Sequence, residues 1–428
     1  MKPLVVSLLV LSLVVYFVMD MYEVPALSST SFGTEKYTKK DTVVATSTNT
    51  DKSSTNSTSS SSILASFSMP LVTHIKTPTH VRAIYMSSWV AGTPSIRSPL
   101  IKLIDTTELN AVVIDVKDNT GIISWDERIK DLPVLIEELH AKHIYVIGRI
   151  ASFQDPVYVK LHPERAVKNV TTGTIWKDRK GVPWVDTGSH DMWAYLVDVG
   201  KDAYERGFDE LNYDYIRFPT DGDLKAMRFP VSGTRGLTDK RGIVQEFYKY
   251  LHDNFTPLGI PISGDVFGII TTNSNETKTL GQDLGDALRY FDYVAPMVYP
   301  SHFYAGTAGF QNPAIHPREI ILFSMKGAIS IVEEMTTKKH VVTNGTTTAT
   351  TTVASTSIYM NIYPDLEGIS SSTLIAKLRP WYQDFDMGAV YTKEMVRAQM
   401  EAGYDLSINS WMLWDPSNKY TPSALHAQ

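Results

Sequence analysis

The chain has 428 residues, 43% apolar and 20% charged, which is too apolar for a wholly disordered chain. Forty basic against 46 acidic residues leave a net charge of −6, which argues against a protein that grips nucleic acid through a phosphate-binding patch. With no cysteine, disulfide scaffolds, zinc–thiolate centres, iron–sulfur clusters and cysteine catalysis are excluded.

Residues 3–19, PLVVSLLVLSLVVYFVM, carry no charge. As a helix they would reach roughly 25 Å, short of the ~30 Å hydrocarbon core. Residues 1–20 are therefore expected to be a signal peptide or a short membrane anchor. Val24 and Ala26 offer small residues for a cleavage site. Lys2 ahead of the run would leave the N-terminus inside and the body outside the cytoplasm, secreted or anchored. Residues 21–77 include KSSTNSTSSSS, which has nothing to bury, and are expected to form a disordered tether. A second polar tract, 336–357, is expected to be a surface insertion in the same domain, with a domain boundary as the alternative.

From residue 78 to 428, short apolar runs alternate with helical stretches. The expected strands are 81–89, 110–118, 144–153, 209–218, 260–268, 292–299, 378–385 and 405–414. The expected helices are 97–107, 131–142, 190–206, 239–254, 281–290, 315–334 and 392–402. Strand–helix alternation implies parallel strands with right-handed crossovers, and eight repeats fit an α/β (β/α)₈ TIM barrel. The polar tract then falls before strand 7. A doubly wound sheet is disfavoured, because no Gly-x-Gly-x-x-Gly turn follows an early strand. In NAVVIDVKD, Val112, Ile114 and Val116 share one face, with Val113, Asp115 and Lys117 on the other. In ELNYDYIRF, Asn212 and Asp214 share a face, and Tyr213, Tyr215 and Arg217 share its opposite.

Barrel enzymes carry their catalytic groups at the C-terminal ends of the strands. Acidic residues collect there: Asp115 and Asp118 on strand 2, Asp214 and Asp221 after strand 4, Asp265 on strand 5, Asp384 and Asp386 after strand 7, and Asp415 after strand 8. Asp118, Asp221 and Asp415 read as turn residues. Asp115 can pair with Lys117 or with Arg149. Asp214 and Asp265 stand in otherwise apolar or aromatic strands and carry the strongest expectation of a direct role. His140 and His143 sit at the wrong end of strand 3. There is no zinc-binding histidine spacing, Gly-x-Ser-x-Gly elbow, Walker motif or EF-hand loop, so neither metal nor cofactor is expected. Aromatic residues crowd the same rim: Trp89, Tyr215, Phe218, Phe267, Tyr299, Trp381, Tyr382, Trp411 and Trp414. Such rings stack on pyranose faces, and they also fill cores.

The segments RAIYMSSWVAG, LNAVVIDVKDNTG, IGRIASFQD, FDELNYDYIRFPTDG, ISGDVFG, YVAPMVYPSHF, RPWYQDFD and INSWMLWDPSNKY stand in order from about Arg82 to Tyr420. Together they resemble a family of bacterial glycoside hydrolases with a TIM-barrel fold, distantly similar to α-amylase-type and chitinase-type barrels. The resemblance implies an essential strand-4 carboxylate, here Asp214, as nucleophile or stabiliser of an oxocarbenium-like state. By the amylase type it also implies a strand-5 acid/base, here Asp265, where that type has Glu. Asp115, Tyr299 and Asp384 would bind substrate or tune the acids, Arg217 and Lys117 would keep neighbouring carboxylates ionised, and Trp381 and Trp411 would stack on sugar. The expected partner is an extracytoplasmic polysaccharide or cell-wall glycan. The membrane would be met only through the N-terminal segment. The rival reading is a tethered barrel that binds glycan without cleaving it.

Overall fold

A computed structural model describes residues 72–336 and 369–428, together with Leu366. The apolar run 3–19, residues 21–71 of the expected tether and the polar tract beyond Thr336 lie outside these residues. Among the described residues no helix is long and apolar enough to cross a membrane.

The β-rich runs form eight strands: β1 (Arg82–Met86), β2 (Ala111–Lys117), β3 (Tyr145–Ala151), β4 (Glu210–Asp214), β5 (Ile262–Phe267), β6 (Tyr293–Met297), β7 (Trp381–Gln383) and β8 (Trp411–Trp414). Each pairs in parallel with its sequence neighbours, and β8 returns to β1, so the sheet closes. Between them run α1 (Pro94–Asp105), α2 (Leu132–Ala141), α3 (His190–Glu205), α4 (Lys240–Phe255), α5 (Leu284–Tyr290), α6 (Pro317–Thr336) and α7 (Lys393–Tyr404). This is a (β/α)₈ barrel, and every expected strand and helix has its counterpart. Helix starts follow local chemistry: Asp239 accepts from Gly242 N–H to cap α4, and Thr392 accepts from Met395 N–H to cap α7.

Two buried layers follow from the period of two along each strand. Val112, Ile114 and Val116 on β2, with Tyr213 on β4, join the large core beneath the helices. Ala83 and Tyr85, Ala111 and Val113, Tyr145 and Ile147, Ala295, Trp381 and Met412 fill the barrel interior. Trp411, expected at the glycan site, belongs to the outer layer. It is fully buried and its indole N–H donates to Tyr404 Oη at 2.9 Å, because one residue of phase along β8 turns it away from the interior. Gly264 is required by packing: a Cβ there would come within 2.7 Å of the Phe291 ring.

The N-terminal pole of the barrel corrects the tether boundary. Ile75 N–H donates to Asp209 Oδ1 at 2.8 Å, Thr77 Oγ1 lies 2.9 Å from Tyr145 Oη, and His74 stacks on Tyr204. Residues 72–77 are therefore docked, although their composition gave no periodic signal. Asp209 also accepts from Val146 N–H, and His140 Nε2 lies 3.1 Å from it. Burial alone would raise its pKa, but His140, His74 and Val146 N–H outweigh burial and hold it below the usual carboxylate range. A chain beginning at residue 78 should therefore unfold at a lower temperature than one beginning at residue 72. The expected loss is about 1–3 kcal/mol, set by a buried carboxylate deprived of a donor. Thermal unfolding of both truncations measures it, and equal midpoints would contradict the docking.

Candidate active site

At the C-terminal mouth, β2, β3 and β4 present Asp115, Arg149 and Asp214 from adjacent strands. Arg149 Nη1 donates to Asp115 Oδ1 at 2.7 Å, and its Nη2 and Nε donate to Asp214 Oδ2 at 2.5 and 3.1 Å. The guanidinium lies over the rings of Trp414 and Tyr85 at 5.2 and 5.7 Å. Burial opposes its charge, but Asp214 and Asp115 outweigh burial and hold the proton more firmly than usual. Arg149 thus settles the pairing of Asp115 left open by sequence. The second oxygen of Asp115 accepts from Tyr85 Oη at 2.6 Å. Burial still pushes the Asp115 carboxyl up, against Arg149.

β4 stops at Asp214 because Tyr215 adopts a left-handed backbone, φ 53°. For a bulky residue this is a strained conformation. It turns Tyr215 N–H back onto Asp214 Oδ1 at 2.6 Å, so both oxygens of Asp214 are held.

Asp265 projects from β5 into a different setting. Asn212 Nδ2 and Trp381 Nε1 both donate to its Oδ1, at 3.0 and 2.8 Å, and no cation lies within ion-pair distance among the described residues. Burial, and after it the charge of Asp214, push the carboxyl up to about 8. Two neighbouring strands therefore offer a carboxylate paired with a guanidinium and a carboxyl that keeps its proton at neutral pH.

The remaining expected residues divide. Tyr299 stays at the inner cluster, edge-on to Phe385 at 5.6 Å. Arg217 lies beyond β4 with its guanidinium over Phe267, Trp184 and Tyr215 at 4.5, 5.0 and 5.5 Å. It donates to Phe218 O and Thr220 Oγ1, and it forms no ion pair with Asp214. Lys117 is fully buried against Asp155 at 2.8 Å, after a register shift between Asp115 and Lys117. Asp155 also accepts from Tyr158 N–H, so this buried pair ties the end of β2 to the helical turn that begins at Pro156. Asp384, pushed up to about 6 by burial, accepts from Thr421 N–H and Oγ1 through its two oxygens. It ties down the C-terminal segment. Trp381 is 1% exposed and gives its N–H to Asp265, so it holds the acid and offers no open face for stacking. Asp118 is a turn residue, accepting from Thr120 N–H and pairing with Arg128. Asp415 likewise accepts from Ser417 and Lys419 N–H.

Sequence reasoning missed Tyr85 and left Arg149 as one of two options for Asp115, while Trp414, counted among the rim aromatics, stacks on Tyr85 at 4.1 Å and meets Trp381 edge-on at 5.5 Å. Counting by two from Ala83, and back from the Asp115 face, would have placed Tyr85 inside. It also missed the β3–α3 excursion, where Asp178 accepts from Gln154 Nε2 and Trp184 Nε1. The four-residue ribbon of Lys168–Asn169 against Met227–Arg228 is too short for a periodic signal. No group of three metal-ligating side chains occurs among the described residues.

A closed parallel barrel with inward carboxyls at its C-terminal mouth is the architecture of barrel enzymes, whose active sites lie at that end. The family model described as "putative glycosyl hydrolase domain" matches residues 83–344 and 343–420, and the chain belongs to that family. No curated protein matches it significantly. A hypothetical protein from Ruminiclostridium thermocellum is 34% identical, over 43% of this chain and 97% of its own, with a TM-score of 0.38. The PgaB (BpsB) glycoside hydrolase domain from Bordetella bronchiseptica is 11% identical, over 79% of this chain and 94% of its own, with a TM-score of 0.52. That likeness shows the fold alone. The chain is thus a glycosidase-family barrel.

The proton on Asp265 has a consequence for stability. An unfolded aspartate loses its proton near pH 4, about 3.9. The folded chain keeps it to about pH 8. The raised value therefore destabilises the fold progressively as pH rises between these limits, and no further above them. Asp265→Asn removes the term and leaves an amide oxygen for Trp381 and Asn212. Its unfolding midpoint should equal that of the parent near pH 4 and exceed it by several degrees at pH 8. A constant difference across this range would contradict a protonated Asp265.

Proposed function

We propose that the barrel hydrolyses a glycosidic bond in an extracytoplasmic polysaccharide or cell-wall glycan, with Asp265 as proton donor and Asp214 as its anionic partner. One observation carries this reading: the two carboxyls stand on neighbouring strands, one against Arg149 and the other without a cation. Glycoside hydrolysis needs that division of labour. Asp265 protonates the departing glycosidic oxygen. Asp214 faces the oxocarbenium-like centre, as nucleophile or as electrostatic stabiliser, with its orientation held by Tyr215 N–H and Arg149. Trp414, partly buried beside Tyr85 and Trp381, supplies aromatic surface for the sugar near the acids. The charge-free run 3–19 after Lys2 and the Ser/Thr-rich stretch behind it support export, secreted or anchored. The location is tested by protease accessibility of the barrel on intact cells.

The acid must be protonated to act, so turnover should fall as pH rises through the Asp265 ionisation, with the alkaline limb near pH 8. On a panel of aryl glycosides and polysaccharides, Asp214→Asn should retain glycan binding and lose several powers of ten in kcat. Asp265→Asn should lose less on substrates with good leaving groups, which need little protonation. Asp118→Asn is the control, with kcat and KM near those of the parent. Near-parental turnover by Asp214→Asn overturns its assignment. Glycan binding by the parent without turnover on any substrate favours the non-catalytic reading.

A further inference from the structure

Asp265 has two oxygens in unlike company. Oδ1 receives both the indole N–H of Trp381 and the amide N–H of Asn212, while Oδ2 receives no donor from the described residues. The charged groups that act on the carboxyl are Asp214 from β4 and Arg149 from β3. On β6 its pairing partner is Ala295, and in the loop after β5 Gln282 Nε2 donates to the Asp265 backbone carbonyl. A protonated carboxyl has one oxygen that accepts and one that donates. Two donors on Oδ1 leave the acid proton no room there.

The two donors differ in what they permit. An asparagine amide can turn over and present its oxygen, and Asn212 Oδ1 is itself buried without a partner. An indole N–H can only donate. Trp381 is 1% exposed and wedged edge-on against Trp414 at 5.5 Å, so its ring cannot swing aside. It is the fixed element of the pair.

We propose that Trp381 is a positioning residue for proton donation: its indole N–H occupies Oδ1 of Asp265 and confines the acid proton to Oδ2. The residue expected to stack on sugar instead determines which oxygen delivers the proton. The inference rests on the reading of Asp265 as the acid, and it adds the residue that fixes the direction of transfer. Because the indole N–H favours the ionised form, it also moderates the upward push of burial.

The first test needs no substrate. With tryptophan labelled at the indole nitrogen, the Trp381 Nε1–H resonance should move with pH through the Asp265 ionisation, and it should stop moving in Asp265→Asn. Loss of the same resonance in Trp381→Phe assigns it. Should Trp381→Phe not fold, the resonance that titrates in the parent and not in Asp265→Asn still decides. An indole set insensitive to pH, or a titration that survives in Asp265→Asn, overturns the proposal. The second test reads turnover. Trp381→Phe should move the alkaline limb upward by about one pH unit, as expected for one hydrogen bond lost from a carboxylate. It should also lower kcat most for poor leaving groups and leave KM near the parent's. An unmoved alkaline limb with a uniform loss across leaving groups would mean that Trp381 is packing alone. A titrating indole in a chain that turns over no glycoside would sink the glycosidase reading and keep the Trp381–Asp265 pair.

Discussion

The contact on which the mouth of the barrel depends is Arg149 held between Asp115 and Asp214. It joins side chains of three adjacent strands, so the register of β2, β3 and β4 fixes the position of both carboxylates. Without that guanidinium, two buried carboxylates would lack a counter-charge and Asp265 would lack the cation that offsets Asp214. Arg suits the place better than Lys would. Its planar fork donates to two partners at once, and it lies against the stacked rings of Tyr85 and Trp414.

The same contact explains why the two candidate acids differ. Asp214 is one strand from Arg149 and receives two of its nitrogens. Asp265 is one strand further and receives only neutral donors. Identical side chains therefore meet opposite electrostatic settings through a single strand step around the barrel. The strain at Tyr215 belongs to this arrangement, since its left-handed backbone both ends β4 and directs an N–H at Asp214.

The fold was legible because a barrel writes itself as periodicity. Eight apolar runs spaced by helical stretches reveal β1 to β8, and alternation inside β2 and β4 separates the interior from the helix-facing layer. The carboxyl positions followed, since Asp115, Asp214 and Asp265 fall at strand ends on inward phases. Their partners did not follow. Whether Asp115 meets Lys117 or Arg149 depends on a register shift at the end of β2, which alternation cannot reveal. Trp411 and Trp414 are three residues apart on one strand and so point to opposite faces, yet composition treats them alike. Asp384 looked like a rim acid because its bond to Thr421 spans 37 residues of chain. The docking of residues 72–77 escaped for a related reason: it is made by one backbone N–H, one hydroxyl and one stacked ring, none of which has a period.

Buried charge sits at both poles of the barrel, and the contrast separates stability from function. At the N-terminal pole Arg379 pairs with Glu210 at 2.8 Å, Tyr145 Oη donates to the other oxygen of that carboxylate, and the guanidinium lies over Tyr293. Asp209 below it collects donors from three chain segments. Each carboxylate there has its charge met, as a purely structural site requires. At the C-terminal pole Asp265 has its charge unmet and keeps its proton, at a cost in stability that grows with pH. A fold gains nothing from such a group that an asparagine would not supply. Its place beside a carboxylate already paired with Arg149 is therefore the strongest physical reason to read the mouth as a site of proton transfer.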